Sequence, residues 1–465
     1  MKRVAIIGGG MAGLAAAHYL QRAVQNEGAE IDWQLIEERD RLGGKVVTDR
    51  ADGFVIEGGP DSFITQKPWG LELCRELNLD DELIPCNVAQ QKVYILVKGR
   101  LCALPEGFRL TVPTRILPFV RSPLFSWAAK ARMGLEPFIS PRLDDGDESV
   151  SAFITRRLGR EAADKIGGPL MAGIYVADPA KLSLLSTFPQ FRTMERKYGS
   201  LVRAMRAAAK RPASTTPMFM SLRDGMGRLV ETISRSFKDR CTTGARITGI
   251  ERTNNAAFTV IRDGERETFD ALILATPLFE TAQLLQEMSP RSADVLGAIR
   301  YVSTATVSLG FALPVEGLRR PLDGFGFVIP ASERRDLLAC TWSSVKFPGR
   351  APEGNVLFRA FIGGEGREDM VDWTDDRLIE VMREELRAIP GIRAEPVIAR
   401  VFRWPNGNPQ YDVGHADRMQ AVLADVASMR GLHLAGSGYN GIGLPDCIRS
   451  GKEAAEAVIR DCAQS

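Results

Sequence analysis

Three glycines near the start of the chain have the spacing of a phosphate-binding turn. Gly8, Gly10 and Gly13 form a G-x-G-x-x-G pattern, and an acid, Glu37, follows a little beyond the usual interval for a ribose-binding residue. The first glycine permits the tight bend, the second lets a pyrophosphate approach the backbone, and the third lets a helix pack closely. Free N–H groups at the start of that helix can bind the phosphates. We expect dinucleotide binding, and the acid disfavours a 2′-phosphate.

The residues around these glycines predict the elements that position them. Arg3–Ile7 is a short apolar run typical of a strand buried on both faces, and Leu14–Ala17 opens a helix of good helix formers. A second strand is predicted over Ile31–Glu37 and ends on the acid. This context is far more specific than the glycine pattern alone. The alternative is a glycine-rich turn that only precedes a packed helix.

A second glycine turn follows the acidic strand end directly. Residues 37–45 read EERDRLGGK, which resembles the E-x-x-x-R-x-G-G-R/K pattern of flavoproteins of the amine-oxidase type. The resemblance implies that the dinucleotide is FAD. For Arg41 or Lys45 taken singly, the alternative is a solvated surface charge. From the two turns together we expect cofactor contacts by Gly8, Gly9, Gly10, Met11, Ala12, Gly13, Glu37, Glu38, Arg41, Gly44 and Lys45.

The other end of the chain carries a third glycine-rich loop. Residues 433–446 read HLAGSGYNGIGLPD, with a buried strand predicted at His433–Ala435 and a helix from about 446 to 462. The N-terminus of this helix suits a flavin pyrimidine, which gains negative charge on reduction. We expect cofactor contacts here from Gly436, Ile442, Gly443 and Leu444.

Because the motifs lie at both ends of the chain, the predicted fold is α/β with a discontinuous Rossmann-like FAD domain. Strand patterns at 246–252, 257–262 and 268–274, with a turn at Asn254-Asn255, fit its middle part. Alternating strands over 300–365 and an amphipathic helix at Asp375–Ile389 indicate an antiparallel-sheet α+β substrate domain. The predicted division is 1–65, 213–285 and 403–465 for the FAD domain, 66–98 and 286–402 for the substrate domain, and 99–212 for an α-helical membrane-associating domain.

The segment Phe108–Arg132 mixes apolar residues, Leu110 among them, with basic ones. Pro113, Pro118 and Pro123 prevent one long helix. Apolar anchors beside basic residues suit a membrane interface. The alternative is a substrate-channel lid that packs on its own domain.

Composition excludes several other classes of protein. The 465 residues are 45% hydrophobic and 25% charged with a net charge of +2, so a nucleic-acid footprint is not expected. Three scattered His and seven Cys without paired spacing argue against a metal site and for a reducing cytosol. The N-terminus lacks a signal-peptide pattern, and no apolar run is long enough to span a membrane. We expect a cytoplasmic protein, with peripheral association to the inner face of the cell membrane left open.

Longer passages extend the resemblance to nearly the whole chain. They are IIGGGMAGLAAA at 6–17, GFVIEGGPDSFI at 53–64, GIYVADPAKLSLLSTFPQF at 173–191, PEGNVLFRAFIGG at 352–364, RWPNGNPQY at 403–411 and GIGLPDCIRSG at 441–451. With them the chain resembles the bacterial, Bacillus-type protoporphyrinogen/coproporphyrinogen III oxidases of the flavin amine oxidase superfamily. The second, third and fifth passages separate this family from amine oxidases and carotenoid desaturases.

The resemblance implies an oxygen-dependent, six-electron oxidation of a porphyrinogen in haem biosynthesis. A hydride leaves a meso carbon for flavin N5, and hydrogen peroxide is released. No catalytic side chain is implied, and Phe361 stands where some relatives have a Tyr. For three residues that the resemblance places in the site there are alternatives: Lys67 as a solvated side chain, Ile174 as a core residue and Trp404 as a packing residue only. The implied contacts are, to cofactor, Gly59, Pro60, Asp61, Ser62, Ile247 and Trp404 and, to substrate, Lys67 and Ile174.

The resemblance favours coproporphyrinogen III, with four propionates, over protoporphyrinogen IX, with two, as the physiological substrate. Implied partners are the porphyrinogen, molecular oxygen, a ferrochelatase and a membrane surface. Two other classes remain open. An amine or carotenoid-precursor oxidase would be one, although no aromatic cage for an amine is clear. A non-enzymatic carrier on the same fold would be the other, although both glycine turns and the C-terminal loop are intact.

Overall fold

The computed structural model describes residues 1–109, 112–113, 115–209, 216–253 and 257–464. Leu110, the turn expected at Asn254-Asn255 and the domain boundary expected between 212 and 213 lie outside these ranges. The α-helices are α1 (Met11–Glu27), α2 (Trp69–Glu76), α3 (Ile116–Arg121), α4 (Trp127–Gly134), α5 (Val150–Leu158), α6 (Arg160–Ala162), α7 (Gly173–Tyr175), α8 (Leu184–Thr187), α9 (Pro189–Tyr198), α10 (Leu201–Ala209), α11 (Gly227–Arg235), α12 (Leu278–Leu285), α13 (Pro290–Gly297), α14 (Ser343–Lys346), α15 (Asp375–Ala388), α16 (His415–Ala427) and α17 (Leu444–Ala463).

The strands form two main sheets and several small ones. They are β1 (Lys2–Ile7), β2 (Ile31–Ile36), β3 (Thr48–Ala51), β4 (Phe54–Glu57), β5 (Phe63–Ile64), β6 (Leu83–Pro85), β7 (Lys92–Val97), β8 (Arg100–Ala103), β9 (Phe108–Arg109), β10 (Val112–Pro113), β11 (Phe219–Leu222), β12 (Cys241–Thr242), β13 (Ile247–Arg252), β14 (Phe258–Arg262), β15 (Glu265–Phe269), β16 (Ala271–Leu274), β17 (Tyr301–Ala312), β18 (Gly324–Val328), β19 (Leu337–Trp342), β20 (Asn355–Gly363), β21 (Ile398–Pro409) and β22 (Leu432–Leu434). Short 3₁₀ turns cover Asp80–Glu82, Val88–Gln90, Glu136–Phe138, Lys238–Arg240, Ala331–Glu333 and Glu368–Asp372, and a π-helix covers Ala163–Ala172.

The first main sheet is parallel and takes its strands from widely separated parts of the chain. Its order is β12-β2-β1-β16-β22. The central strand β1 buries Val4 and Ile6 completely, as expected for a strand covered on both faces. The predicted first strand, first helix and second strand are confirmed. Helix α17 packs along α1, and a Cβ on Gly451 would lie 2.1 Å from the Ala12 carbonyl oxygen. The first turn of α1 therefore packs against the middle of α17.

The strand predicted over 268–274 is divided at Asp270, whereas the buried strand that the apolar run after Asp270 also predicts is confirmed as β16. Strand β15 ends at Phe269 in a three-stranded antiparallel sheet with β13 and β14, whereas β16 begins at Ala271 in the parallel sheet. Between them, Asp270 accepts a hydrogen bond from the Arg3 backbone N–H at 2.7 Å. One apolar run thus serves two sheets, because the chain turns at this acid.

The second main sheet has seven strands in the order β21-β17-β20-β19-β18-β7-β8. Its pairs are antiparallel except β18 with β7. The amphipathic helix predicted at 375–389 is confirmed as α15, whose Leu378, Val381, Met382 and Leu386 pack on this sheet's core. Together the two main sheets and their helices make an α/β fold.

Residues 116–209 are mainly helical and surround a separate hydrophobic core. The segment Phe108–Arg132 contributes Phe119, Leu124 and Phe125 to that core, but Ile116 and Trp127 are 65% and 72% exposed. The apolar residues of this segment therefore divide between core and surface. No helix within the described ranges is both long and apolar enough to cross a bilayer.

Candidate active site

The N-terminus of α1 is open. Gly10 precedes the helix, no side chain caps it, and its first turn holds no acid. A Cβ on Gly10 would meet no described atom within 4 Å, whereas one on Gly13 would lie 1.9 Å from the Gly8 carbonyl oxygen. Helix and turn are thus tightly packed behind Gly10, and free space lies in front of it. Free N–H groups and a positive dipole end there suit a pyrophosphate.

Glu37 lies directly beside this turn. The carboxylate is 9% exposed, and its Oε2 accepts the Gly9 N–H at 2.5 Å while its Oε1 accepts the Arg39 N–H at 2.9 Å. Each carboxylate oxygen keeps a further lone pair for a hydroxyl donor. Glu37 is therefore held in place and can still bind ribose hydroxyls.

Another carboxylate at this end of the site was missed by sequence reasoning. Burial, together with the charges of Glu38 and Glu37, raises the pKa of Glu280 to about 6. Glu38 is exposed and lies 3.5 Å from Arg246, next to Ile247 at the start of β13. A concentration of acids favours a ligand that brings hydroxyl donors rather than a third phosphate.

The second glycine turn packs against the first. The Arg41 guanidinium donates to the Gly44 carbonyl at 2.8 Å, and a Cβ on Gly44 would lie 3.1 Å from the Gly10 Cα. Lys45 donates to the Gly407 carbonyl across the molecule, and burial lowers the pKa of its ammonium group. These cations are held by backbone carbonyls and are not freely solvated.

The carbonyl of Gly58 is fixed by three donors from three neighbouring strands of the seven-stranded sheet. Thr306 and Trp404 donate to it at 3.0 Å each, and Arg359 donates at 3.4 Å. Arg359 also donates to the Gly59 carbonyl at 2.5 Å. Trp404, expected near the cofactor, thus acts at least by holding this loop.

The rest of this loop is held from both sides. A Cβ on Gly59 would lie 1.7 Å from the Lys45 carbonyl oxygen, so the loop lies directly on the second glycine turn. Pro60 is partly buried, and the Ser62 hydroxyl donates to Asp61 at 2.6 Å. Residues 59–62 therefore link the first glycine turns to the seven-stranded sheet.

Tyr411 braces the C-terminal glycine-rich loop. Its hydroxyl donates to the Ser437 carbonyl at 2.6 Å and accepts the Gly441 N–H at 2.9 Å. The ring stacks on His415, with centroids 4.0 Å apart and planes 14° apart. Burial, helped by the nearby Arg418 charge, lowers the pKa of His415 to about 4. Tyr411 ends the passage RWPNGNPQY at 403–411, but nothing in the sequence predicted a role for its side chain.

The second helix N-terminus follows this loop. Gly443 is the N-cap of α17, Leu444 is its first residue, and Asp446 accepts the Gly443 N–H at 3.2 Å. Lys67 lies 2.6 and 2.7 Å from the two Asp446 carboxylate oxygens. Its side chain is 45% exposed. At the other end of the loop, the Gly436 N–H is bound by Ser450 at 3.0 Å.

Two expected contact residues lie where the helical region meets this loop. Ile442 packs against the helical core, and Ile174 is 60% exposed on α7. The next residue, Tyr175, has its ring centroid 5.7 Å from that of Tyr411. Ile174 is therefore an exposed apolar side chain beside the C-terminal loop, and not a core residue.

These features fit FAD. An open helix N-terminus, a fixed acid for a ribose and a second helix N-terminus lie along one edge of the parallel sheet. The loops at 41–45, 59–62 and 436–444 are each fixed by contacts to other elements. The structure therefore places the three predicted glycine-rich loops and the loop at 59–62 in mutual contact or on shared supporting elements.

Comparison with known proteins supports the same assignment. The family model for flavin-containing amine oxidoreductase matches residues 11–459. The chain is 35% identical to the coproporphyrinogen III oxidase of Bacillus subtilis (strain 168), over 97% of each chain. It is 33% identical to that of Staphylococcus aureus (strain NCTC 8325 / PS 47), over 99% of each. A solved structure from Exiguobacterium sp. 255-15, provisionally assigned as a protoporphyrinogen oxidase, superposes with a TM-score of 0.88 at 32% identity and covers 99% of each chain.

Proposed function

This chain belongs to the flavin-containing amine oxidoreductase family, and we propose that coproporphyrinogen III is its physiological substrate. It is an FAD-dependent oxidase of porphyrinogens in haem biosynthesis. The observation that carries the substrate proposal is the similarity to two coproporphyrinogen III oxidases, at 35% and 33% identity over nearly the full length of the chain. Protoporphyrinogen IX is the second candidate, because the Exiguobacterium structure bears that assignment.

When bound, FAD would supply the redox chemistry by accepting a hydride from a meso carbon in each of three two-electron oxidations, with three oxygen molecules as final acceptors and three of hydrogen peroxide as product. The chain's own side chains position and orient the reactants. Within the described residues we assign none as a general acid or base. The porphyrinogen loses three protons alongside the three hydrides, two from pyrrole N–H groups and one from a meso carbon, and these protons leave in the hydrogen peroxide.

We propose that the predicted contact residues form three groups. Those of the three glycine loops, with Glu37, hold the dinucleotide, and those of the loop at 59–62 lie against the flavin. Lys67 and Ile174 face the substrate, Ile174 by its exposed apolar side chain. For Lys67 to bind a propionate, that carboxylate must share or replace Asp446, which lies 2.6 Å away.

We also propose that the helical region docks on the inner face of the cell membrane. We name as the apolar rim a set of exposed side chains: Ile116, Leu117, Trp127, Leu135, Phe138 and Leu143. Lys130 lies over the Trp127 ring at 4.3 Å, and Arg115 and Arg121 are exposed beside the rim. Apolar side chains next to cations suit an anionic bilayer surface. A cytoplasmic ferrochelatase that takes up the porphyrin is the partner proposed downstream.

The substrate proposal is tested by side-by-side turnover. Purified FAD-loaded protein is given coproporphyrinogen III or protoporphyrinogen IX, and porphyrin fluorescence is followed. We expect a higher kcat/KM for coproporphyrinogen III. A higher value for protoporphyrinogen IX would transfer the assignment to that substrate.

A further inference from the structure

Five charged side chains lie in or next to the loop at 59–62. We call them the charge cluster: Glu57, Asp61, Lys346, Arg350 and Arg359. Glu57, Arg350 and Arg359 are 4%, 1% and 5% exposed. Because buried charges are weakly screened, their sum acts on whatever lies against the loop.

Arg359 directs its hydrogen bonds to the loop alone. Its guanidinium donates to the carbonyls of Gly58 and Gly59, and its Nε has no partner among the described residues. Burial lowers the pKa of Arg359, and Asp61 and Glu57 oppose that effect. An arginine in this setting stays charged. A full positive charge thus lies one hydrogen bond from the loop backbone.

Asp61 is fully ionised. Burial alone would raise its pKa, but Lys346 and Arg359 hold the pKa of this carboxyl well below its usual range. Lys346 Nζ lies 2.9 and 3.0 Å from the two carboxylate oxygens. Asp61 therefore faces two cations, and of these two Lys346 is the one whose ion pair with the carboxylate is within 4 Å.

Glu57 compensates the remaining cations only in part. Burial raises the pKa of Glu57, against the opposing effects of the Thr48 hydroxyl bond and Arg350. The nearest Glu57–Arg350 approach is 3.7 Å. Three cations thus face at most two carboxylates, and the charge cluster is net positive.

We propose that Arg359 and Lys346, through this net positive charge, raise the reduction potential of FAD bound against residues 59–62. The inference rests on the proposed function, which places the flavin beside this loop. Reduced flavin carries more negative charge than oxidised flavin, so a fixed positive charge favours the reduced form. Arg359 is also a positioning residue, because it holds the two carbonyls that shape the loop.

The test is the midpoint potential of the bound flavin, measured by equilibrium reduction against a reference dye. Variants are Arg359→Gln, Arg359→Lys and Lys346→Gln, in FAD-loaded protein. Arg192→Gln is the matched control, since Arg192 is equally buried at 5% exposed and donates to two loop carbonyls in the helical region. We expect lower potentials in Arg359→Gln and Lys346→Gln, a smaller change in Arg359→Lys, and none in the control.

Unchanged potentials in Lys346→Gln and in any FAD-retaining Arg359→Gln protein overturn the proposal. If Arg359→Gln loses FAD, Lys346→Gln decides alone, because Lys346 has no hydrogen bond to the Gly58 or Gly59 carbonyl. Failure of the proposed function is distinguishable from this failure. If the proposed function is wrong but this inference holds, the midpoint potentials shift as expected, but neither the wild-type protein nor any variant oxidises a porphyrinogen.

Discussion

Lys67 and Asp446 form an ion pair that joins the segment after the loop at 59–62 to the first turn of the final helix. The ammonium lies 2.6 and 2.7 Å from the two carboxylate oxygens, and one of these oxygens also accepts the Gly443 N–H. A substrate carboxylate that reaches Lys67 therefore meets a cation that already has a partner. The pair connects the proposed substrate side to the proposed flavin side.

Substitution of Lys67 should weaken the four-carboxylate substrate more than the two-carboxylate one. In Lys67→Met we expect KM for coproporphyrinogen III to rise about tenfold, the size of one charge-assisted hydrogen bond. Lys92→Met is the control, because Lys92, at the start of β7, forms a similar 2.6 Å pair with Asp323. Steady-state kinetics on both substrates measure the effect. Equal KM changes for the two porphyrinogens would remove Lys67 from the substrate site.

Substitution of Gly10 should abolish FAD binding without unfolding the protein. The new side chain of Gly10→Val enters the space before α1, where a Cβ meets no described atom within 4 Å. Absorbance of the purified protein and its melting temperature are measured together. Gly134→Val is the control, since its Cβ site is equally open but lies in the helical region. A fully yellow Gly10→Val protein would contradict the phosphate-site assignment.

Removal of the Tyr411 hydroxyl should loosen the C-terminal loop. In Tyr411→Phe, the Ser437 carbonyl and the Gly441 N–H both lose their partner. We expect a loss of about 1–3 kcal/mol in stability, as for an unsatisfied buried polar group, and weaker FAD retention. Thermal unfolding and FAD release on dilution measure these. Tyr198→Phe is the control, and loss of the same size in both variants would count against a specific brace.

The stability of the folded protein should fall as the pH is lowered from 6.5 towards 4, because of His415. Burial holds its folded pKa at about 4, below its ordinary value of 6.5, so the unfolded chain binds more protons between these values. The stability of the neutral form is present above pH 6.5 and is lost as pH falls towards 4. Its loss is at most about 3.5 kcal/mol, at about 1.4 kcal/mol per pKa unit. Melting temperature should fall less steeply over this range in His415→Phe, and parallel curves would refute the assignment.

The apolar rim should bind anionic vesicles. In a flotation assay with phosphatidylglycerol-containing vesicles, we expect the wild-type protein to float and Trp127→Ser/Phe138→Ser to remain largely unbound. These side chains are 72% and 80% exposed. Leu423→Ser, at an apolar site 41% exposed on α16, is the control and should float normally. Equal flotation of wild type and double variant would leave the rim without a membrane role.

The cofactor half of the site was predictable because its signals are local. A buried strand, a glycine turn and a helix follow one another within thirty or so residues of sequence, and each is fixed by nearby side chains. In the seven-stranded sheet, the four strands β17 to β20 were predicted for a similar reason, but β7, β8 and β21 were not. The order and register of this sheet were not predicted either, because these depend on pairings between strands far apart in the chain.

The contacts that hold the loops are long-range, and one sequence does not contain them. The partners of Gly58 are Thr306, Arg359 and Trp404, which lie 248, 301 and 346 residues away. Asp446 is 379 residues from Lys67. Alternation along β17 and β20 indicates which residues share a face, but not which loop that face meets. The apolar pattern runs through Asp270, so the strand predicted over 268–274 does not show where β15 ends and β16 begins.

This chain uses bound FAD to oxidise a porphyrinogen. The most direct measurement is anaerobic mixing of the yellow protein with coproporphyrinogen III while flavin absorbance and porphyrin fluorescence are recorded. We expect the flavin absorbance to bleach, and the admission of oxygen to restore it while coproporphyrin III accumulates. Bleaching by amines, with no bleaching by either porphyrinogen, would contradict this function.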